Sequence, residues 1–294
     1  MRPPVRSQAR RMAMETRVAD AGSWWRRMME GLARLRGLGP LDPTGLRLPP
    51  ARVRRHKGHV SLQFVRGQTQ SRMRSDAPGH LLIDYTRTML AVLLWQPRPR
   101  RIGVVGLGGG SQVKFLHRHL PDTRLEVVEN HPGVVALRRD FGVPDDDPRL
   151  EVTLDDGARF VAARPGRYDL LLVDGYDSRG IPDALSTPAF LQSCRNALCD
   201  GGAMASNLHG QGLESYLQHL ESAFGADRVL VLDEPKMNNR LVVAGTGDAP
   251  AGGDADLQAA SAALSSDAAR RALAPALGRV AGELRTLRRA ACAS

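Results

Sequence analysis

The chain of 294 residues is 42% hydrophobic and 24% charged, which allows one large or two small globular domains with a sizeable core. No apolar run approaches the roughly 18–20 residues that a membrane-spanning helix needs, and the amino-terminal arginines are not followed by the apolar stretch of a secretory signal. The cysteines, Cys194, Cys199 and Cys292, form no CxxC pair and have no metal-ligand spacing, so we expect reduced thiols, no metal and a cytoplasmic location.

The formal net charge of +10 is confined to the start of the chain. Residues 1–60 carry 14 Lys and Arg against 4 Asp and Glu, whereas residues 61–294 carry 27 of each. We interpret residues 1–50 as a basic, largely disordered leader with a short amphipathic helix over Trp24–Leu35. Such a leader could contact nucleic acid or an anionic lipid surface. The neutral remainder argues against a polyanionic substrate and gives no reason to expect nucleic acid elsewhere.

A small β segment is predicted over residues 51–78. The alternating stretch His59–Val65 is typical of a strand, Arg66–Gln68 of a turn, and Thr69–Met73 of a strand that pairs back on the first. Apolar residues at helical spacing then predict a helix over His80–Trp95.

Strands and helices alternate regularly after this point, and we assign them to one domain over residues 79–246. Continuous apolar strands that alternate with helices predict a parallel sheet covered on both faces. The last two strands are too close in sequence for a crossover helix, so they predict a terminal antiparallel hairpin. The predicted fold class is therefore α/β, with a Rossmann-like, mostly parallel sheet of seven strands. The predicted strands are Arg101–Gly106, Arg124–Glu129, Leu150–Leu154, Tyr168–Asp174, Gly201–Asn207, Arg228–Leu232 and Arg240–Ala244. The predicted helices are Ser111–His119, Gly133–Phe141, Ala158–Ala163, Thr187–Leu198 and Leu213–Phe224.

The last segment, residues 247–294, is an Ala/Arg-rich carboxyl-terminal tail. Its composition is compatible with helices, but their apolar face is thin. No residue in this tail suggests chemistry.

The first strand of the Rossmann-like domain leads into a glycine-rich loop, Gly106–Gly110. Glycine permits a tight turn and a close backbone approach to a ligand, and the helix that follows offers free N–H groups. Glu129 ends the next strand 23 positions after Gly106, where an acid can accept both ribose hydroxyls. We therefore predict that Gly106, Gly108, Gly110 and Glu129 bind an adenosine-bearing cofactor. The chain has no Gly-Lys-Ser/Thr sequence, which excludes a phosphate loop for nucleoside triphosphates.

Further acids follow the third and fourth strands of this domain. Asp156 follows the third strand, where an acid can accept the adenine amino group, and Asp174 and Asp177 follow the fourth. The carboxyl ends of successive strands are where open α/β sheets bind ligands, and this row of acids favours an S-adenosylmethionine-type cofactor over a dinucleotide. The alternative for Asp156 is an N-cap of the next helix. The alternative for Asp174 and Asp177 is that they solvate the end of a strand.

The order and spacing of these motifs resemble the spermidine synthase (polyamine aminopropyltransferase) family, within the class I methyltransferase-like fold. The resemblance covers about residues 58 to 245. The motifs that carry it are Gly67–Met73, Asp84–Met89, Val105–Ser111, Val128-Glu129, Asp156–Phe160 and Tyr168–Asp177, followed by Phe190, Leu198, Gly201-Gly202 and Asn207.

The resemblance implies transfer of an aminopropyl group from decarboxylated S-adenosylmethionine to a small amine, in polyamine biosynthesis. It also suggests a homodimer. The residues to which it gives roles are Glu129 on the ribose, Asp156 and Gly157 at the adenine, Asp174 as the base, and Tyr85, Asp177 and Gln70 at the amine substrate.

The sequence also departs from the family pattern. The family loop, Gly-Gly-Gly-Asp-Gly-Gly, contains an acid that holds the amino group of the decarboxylated donor, and Gly109 stands in its place. The polar and acidic residues that follow the family's tyrosine are replaced by Thr86 and Arg87. Two alternatives stay open for these reasons. One is methyl transfer from S-adenosylmethionine itself to a small molecule, and the other is a catalytically degenerate domain that only binds a nucleoside.

Overall fold

The computed structural model describes residues 39–175, 180–210, 212–235 and 237–293. The helix predicted over Trp24–Leu35 lies outside these residues.

The first sheet is small and antiparallel. Its strands are β1 (Arg52–His56), β2 (His59–Gln63) and β3 (Ser71–Arg74), in the order β1-β2-β3. Strands β2 and β3 are the predicted hairpin, and β1 is an additional strand that lengthens it. The side chains of Val60, Leu62 and Met73 are buried, so one face of this sheet packs on the body of the protein.

The second sheet has seven strands in the order β6-β5-β4-β7-β8-β10-β9. All neighbouring pairs are parallel except those of β10, which is antiparallel to both β8 and β9. This arrangement confirms the predicted fold class and its terminal hairpin. The strands are β4 (Arg101–Val105), β5 (Arg124–Glu129), β6 (Leu150–Leu154), β7 (Tyr168–Val173), β8 (Leu198–His209), β9 (Val229–Asp233) and β10 (Asn239–Gly245).

Helices connect and cover these strands. Two of them differ from the sequence prediction: the first begins at Asp84, four residues later than expected, and the predicted helix Gly133–Phe141 divides into one α-helical and one 3-10 turn. No helix in the described residues is long and apolar enough to cross a membrane. The helices are α1 (Asp84–Leu90), α2 (Ser111–His119), α3 (Pro132–Ala136), α4 (Gly157–Ala162), α5 (Pro188–Ala197), α6 (Leu213–Phe224), α7 (Asp254–Ala262) and α8 (Asp267–Ala293), with 3-10 turns at Ala91–Leu94, Arg138–Phe141, Asp183–Leu185 and Ala226–Arg228.

The large sheet has a hydrophobic core on each face, because successive side chains of a strand point to opposite sides. On β4, Val104 packs into a cluster with Leu116 of α2 and Leu277 of α8. Its neighbour Val105 packs into the opposite cluster, which contains residues of α4, α5 and α6. Helices therefore cover both faces, as continuous apolar strands require.

The carboxyl-terminal helices are a structural part of the body and are more deeply buried than the thin apolar face led us to expect. In α8, Leu273, Leu277, Val280 and Leu284 are buried and recur at helical spacing. Intervening alanines, small enough for close packing, complete the buried face against α1 and the turn Ala91–Leu94.

Residues 39–50, which we assigned to the leader, also contact the body. The Asp42 carboxylate accepts hydrogen bonds from the N–H groups of Thr44 and Leu46 and closes a turn. Further along, the ring of His131 donates from Nε2 to the carbonyl oxygen of Pro49 at 2.7 Å and stacks on Phe64 with ring centroids 5.0 Å apart. The described part of the chain thus includes residues that composition alone placed in the leader.

Lys114 is a buried cation in α2. Its side chain is only 5% exposed, and Nζ donates to the carbonyl oxygen of Phe141 at 2.6 Å. Among the described residues no carboxylate forms an ion pair with it. Burial therefore disfavours the charged form and lowers the pKa of Lys114 to about 8.

We predict that Lys114→Met raises the free energy of unfolding at pH 7, and that this advantage shrinks as the pH rises from 8 to 10. Between the folded pKa of about 8 and the unfolded value of 10.5, the unfolded chain still holds the proton that the folded chain has released. Wild-type stability consequently rises with pH in this window. Removal of the buried charge should raise the free energy of unfolding by about 3 kcal/mol at pH 7. Loss of the hydrogen bond to Phe141 reduces this gain by about 1 kcal/mol. Urea unfolding across this pH range measures the difference.

The matched control is Lys57→Met, since Lys57 is an exposed lysine in the turn between β1 and β2. If the free energies of unfolding of Lys114→Met and wild type differed by the same amount at every pH from 7 to 10, Lys114 would not be a buried group that titrates in this range.

Candidate active site

The glycine loop lies directly against the end of β7. Gly106 has a φ of 93°, and a Cβ atom at this position would collide with the carbonyl oxygen of Asp174. Gly108 and Gly110 also have positive φ angles, and they turn the chain into α2. The three predicted cofactor-binding glycines therefore form one turn at the carboxyl edge of the sheet, where open α/β sheets bind ligands.

Glu129 ends β5 beside this loop and is 8% exposed. One carboxylate oxygen accepts a hydrogen bond from the N–H of Leu107 at 2.9 Å, and the other accepts from the N–H of His131 at 2.9 Å. The oxygen that accepts from Leu107 also accepts from the N–H of Gly108, at a longer 3.4 Å. A carboxylate has about four acceptor sites, so at least one remains for a ribose hydroxyl. Glu129 thus also shapes the glycine loop, which its position in the sequence did not reveal.

Asp156 has the helix-capping contact that we considered as its alternative role. Its Oδ1 accepts from the N–H of Arg159 at 2.9 Å and caps α4. Because the same carboxylate has further acceptor sites, capping is compatible with contact to an adenine amino group. The adjoining Gly157 is required for packing, since a Cβ atom there would lie 2.8 Å from Cγ1 of Val105.

Asp174 follows β7 and is partly buried. Oδ2 accepts from the hydroxyl of Tyr85 at 3.1 Å, and Oδ1 accepts from Nδ2 of Asn207 at 3.0 Å. Burial raises the pKa of Asp174 above its ordinary value, while these two hydrogen bonds oppose the rise. The predicted base therefore has a raised proton affinity.

The hydrogen bonding continues behind Asp174. Oδ1 of Asn207 accepts from Nδ2 of Asn239 at 2.8 Å, and both amides are buried. Asn207 is one of the residues that carry the family resemblance, whereas the sequence assigns no role in the site to Asn239. The available signal was a polar Asn238-Asn239 pair immediately before an apolar strand at the active-site edge.

Strand β3 brings Ser71 to the glycine loop. A Cβ atom at Gly109 would collide with Ser71 Oγ, so an acidic side chain fits at position 109 only if Ser71 moves. Gln70 precedes Ser71, and its N–H donates to the carbonyl oxygen of Leu62. Ser71 was not among the predicted site residues.

Asp177 lies outside the described residues, so its predicted contact with the amine stays a prediction. Within the described ranges, no group of three or more His, Cys, Asp and Glu side chains could hold a metal ion.

Comparison with known proteins agrees with the family resemblance that the sequence motifs indicate. A family model described as "Spermine/spermidine synthase domain" matches residues 84–226. The polyamine aminopropyltransferase of Chromobacterium violaceum is 33% identical over 200 residues, which cover 67% of this chain and 76% of that protein.

Two solved structures share the fold. One is a probable spermidine synthase from Corynebacterium glutamicum, with a TM-score of 0.60, 18% identity, and coverage of 72% of this chain and 82% of that one. The other is a spermidine synthase in complex with the transition-state analogue AdoDATO, with a TM-score of 0.56, 16% identity, and coverage of 74% and 82%.

We predict that Glu129→Ala weakens binding of methylthioadenosine by roughly two orders of magnitude or more. Two charge-assisted hydrogen bonds to the ribose would be lost, each worth about 1.5–3 kcal/mol. Calorimetric titration measures the affinity, and thermal unfolding checks the fold.

The matched control for this experiment is Glu151→Ala, because Glu151 is a half-exposed acid on the adjacent strand β6 that pairs with Arg124. An affinity for methylthioadenosine that is the same in Glu129→Ala as in the control would remove Glu129 from the ribose site.

Proposed function

The chain belongs to the spermine/spermidine synthase family, and on that premise we propose that it transfers an aminopropyl group from decarboxylated S-adenosylmethionine to a small amine. The observation that carries this proposal is the partly buried carboxyl group of Asp174, held by hydrogen bonds from Tyr85 and Asn207. Asp174 lies at the carboxyl edge of β7, where its backbone packs against Gly106 of the glycine loop and its carboxylate accepts a hydrogen bond from Tyr85.

A carboxylate in this position suits the chemistry of the transfer. An ammonium group has no lone pair, so the amine must lose a proton before it attacks. Asp174 accepts that proton first. The neutral amine then forms the new C–N bond as the C–S bond of the sulfonium breaks, with methylthioadenosine as the leaving group. Because a general base works best with a pKa near the operating pH, the raised pKa of Asp174 favours this role over that of a solvated surface acid.

The remaining residues bind and orient the substrates in this proposal. Glu129 accepts the ribose hydroxyls while it holds the glycine loop, and Asp156 accepts the adenine amino group while it caps α4. The Tyr85 hydroxyl and the Asn207 amide, by donating to Oδ2 and Oδ1 of Asp174, fix the orientation of its carboxylate. Asp177 and Gln70 bind the amine substrate in this proposal. The protein's contribution beyond proton transfer is proximity and orientation.

Methyl transfer from S-adenosylmethionine itself is a second candidate, favoured by the contact between Gly109 and Ser71. The family acid that holds the donor's amino group is absent, and Ser71 Oγ occupies the space where its side chain would begin. A neutral hydroxyl discriminates less strongly than an acid between donors with and without a carboxylate.

We predict that decarboxylated S-adenosylmethionine binds about tenfold more tightly than S-adenosylmethionine, a difference of about 1.4 kcal/mol. The reason is that the extra carboxylate of S-adenosylmethionine would lose hydration close to the carboxylates of Asp174 and Glu129. Calorimetric titration of both donors measures this, with methylthioadenosine as the tail-free reference.

A double variant, Gly109→Asp with Ser71→Gly, restores the family acid and makes room for it, so it should widen the preference for the decarboxylated donor. Equal or tighter binding of S-adenosylmethionine by the wild type would favour the methyltransferase candidate.

We also predict that Asp174→Asn lowers kcat by roughly 10²–10⁴, the range expected for loss of a general base, with little change in the affinity for methylthioadenosine. Asn keeps the size and one acceptor oxygen but cannot take up a proton. Steady-state kinetics with a series of diamines measures kcat.

The matched control is Asp169→Asn at the opposite end of β7, where the Asp169 carboxylate accepts from the N–H groups of Arg100 and Arg101. An Asp174→Asn protein that turns over as fast as this control would exclude Asp174 as the base.

A further inference from the structure

Arg279 lies in the carboxyl-terminal helix α8 and joins three separate groups. Its guanidinium donates to Thr88 Oγ1 at 2.5 Å, to Glu234 Oε1 at 2.5 Å and to the carbonyl oxygen of Asp233 at 3.0 Å. Thr88 belongs to α1, while Asp233 and Glu234 lie where β9 ends and the turn to β10 begins. One side chain therefore connects α1 with the β9–β10 hairpin.

The ion pair with Glu234 holds Arg279 in place. The Glu234 side chain is 2% exposed and that of Arg279 is 30% exposed. A carboxylate buried to this extent is costly unless it is paired, so the pair resists separation. A guanidinium presents five donors in a rigid fork, which lets it serve three acceptors at once, whereas a lysine ammonium at this position has no comparable geometry.

The first arm of this connection leads to Asp174 through α1. Thr88 lies one helical turn after Tyr85, on the same side of the helix. Tyr85 donates to Oδ2 of Asp174. Fixing Thr88 therefore fixes the rotation and position of the helix that holds the Tyr85 hydroxyl against the carboxylate.

The second arm leads to the other oxygen of Asp174 through the hairpin. The N–H of Glu234 donates to the carbonyl oxygen of Asn239 at 3.0 Å. Asn239 donates to Asn207, and Asn207 donates to Oδ1 of Asp174. The two arms close a ring in which every link is a hydrogen bond or a short stretch of one element.

We propose that Arg279 is a positioning residue, which sets the proton affinity and orientation of Asp174 by clamping α1 to the β9–β10 hairpin. This inference rests on the proposed function for its kinetic consequences. It gives the carboxyl-terminal segment, in which the sequence suggested no chemistry, a defined part in the reaction.

Within the part of the chain that the structure describes, the charged groups beside this network form ion pairs. Tyr85 is the titratable side chain that contacts Asp174 within the described residues. On α1, Asp84 pairs with Arg87, and on the hairpin Asp233 pairs with Arg240. Asp177 and Arg179 follow Asp174 in the chain and lie outside the described residues.

The direction of the effect follows from the hydrogen bonds to Asp174. Those from Asn207 and Tyr85 lower a pKa that burial has raised. Loosening either donor should raise that pKa further. In Arg279→Met we therefore expect the acid limb of kcat/KM to move up by roughly 0.5–1 pH unit, the equivalent of one hydrogen bond. We expect kcat to fall several-fold, while the KM of the nucleoside donor stays nearly constant.

The test compares Arg279→Met with two further variants of the full chain. Thr88→Val removes only the α1 arm, without a change of charge and with the Glu234 ion pair intact, and should give a smaller shift in the same direction. Arg270→Met, on the same helix, removes an exposed ion pair with Asp267 and should leave the pH profile unchanged. Because the substrates are the same throughout, differences between the profiles report the enzyme's own groups.

A second readout does not depend on turnover. The Asp174 carboxyl carbon can be followed by NMR in protein labelled at aspartate, with the signal assigned by its absence in Asp174→Asn. Its titration midpoint should be higher in Arg279→Met and Thr88→Val than in wild type. A lower thermal midpoint with an unchanged titration and pH limb would overturn the proposal and leave Arg279 a purely structural residue. If wild type turned over no amine, the proposed function would fail, and the NMR titration would still decide the positioning role.

Discussion

The arrangement of this protein depends on a carboxyl group that is partly buried at the carboxyl edge of a parallel sheet. Burial of a carboxyl group costs free energy unless its oxygens find hydrogen-bond donors. Asp174 finds one donor on each oxygen, Tyr85 from a helix that precedes the sheet and Asn207 from the neighbouring strand β8. These donors come from parts of the chain that are far apart in sequence, so the correct fold is a condition for the orientation of Asp174, the proposed base.

The proposed nucleoside site is built on the same edge of the sheet. Strands β4 and β7 are neighbours in the sheet, and the lack of a side chain at Gly106 lets the glycine loop touch the backbone of Asp174. Glu129 holds that loop from the next strand while it keeps acceptor capacity for a ribose. A donor bound by the loop and Glu129 would present its sulfonium beside Asp174. The short distance between the proposed nucleoside site and Asp174 follows from the strand order rather than from any single residue.

Much of the fold and of the candidate site could be predicted from the sequence, because the patterns that indicate them are local. The apolar strands, the glycine loop and the acids at the strand ends follow from periodicity and from residue type. The features that escaped prediction are long-range. The buried face of α8 is made partly of alanines, which carry a weak hydrophobic signal, and the additional strand β1 has one apolar residue, Val53, among basic ones. Asn239, Arg279 and the contact of Ser71 with Gly109 acquire meaning only when segments far apart in the chain meet.

The products of a single incubation test the proposed aminopropyl transfer most directly. The protein is mixed with a diamine such as putrescine and either decarboxylated S-adenosylmethionine or S-adenosylmethionine, and the products are identified by mass spectrometry. Aminopropyl transfer predicts equal amounts of methylthioadenosine and of a diamine that has gained one aminopropyl group, from the decarboxylated donor only. A methylated acceptor together with S-adenosylhomocysteine, formed from S-adenosylmethionine, would contradict it.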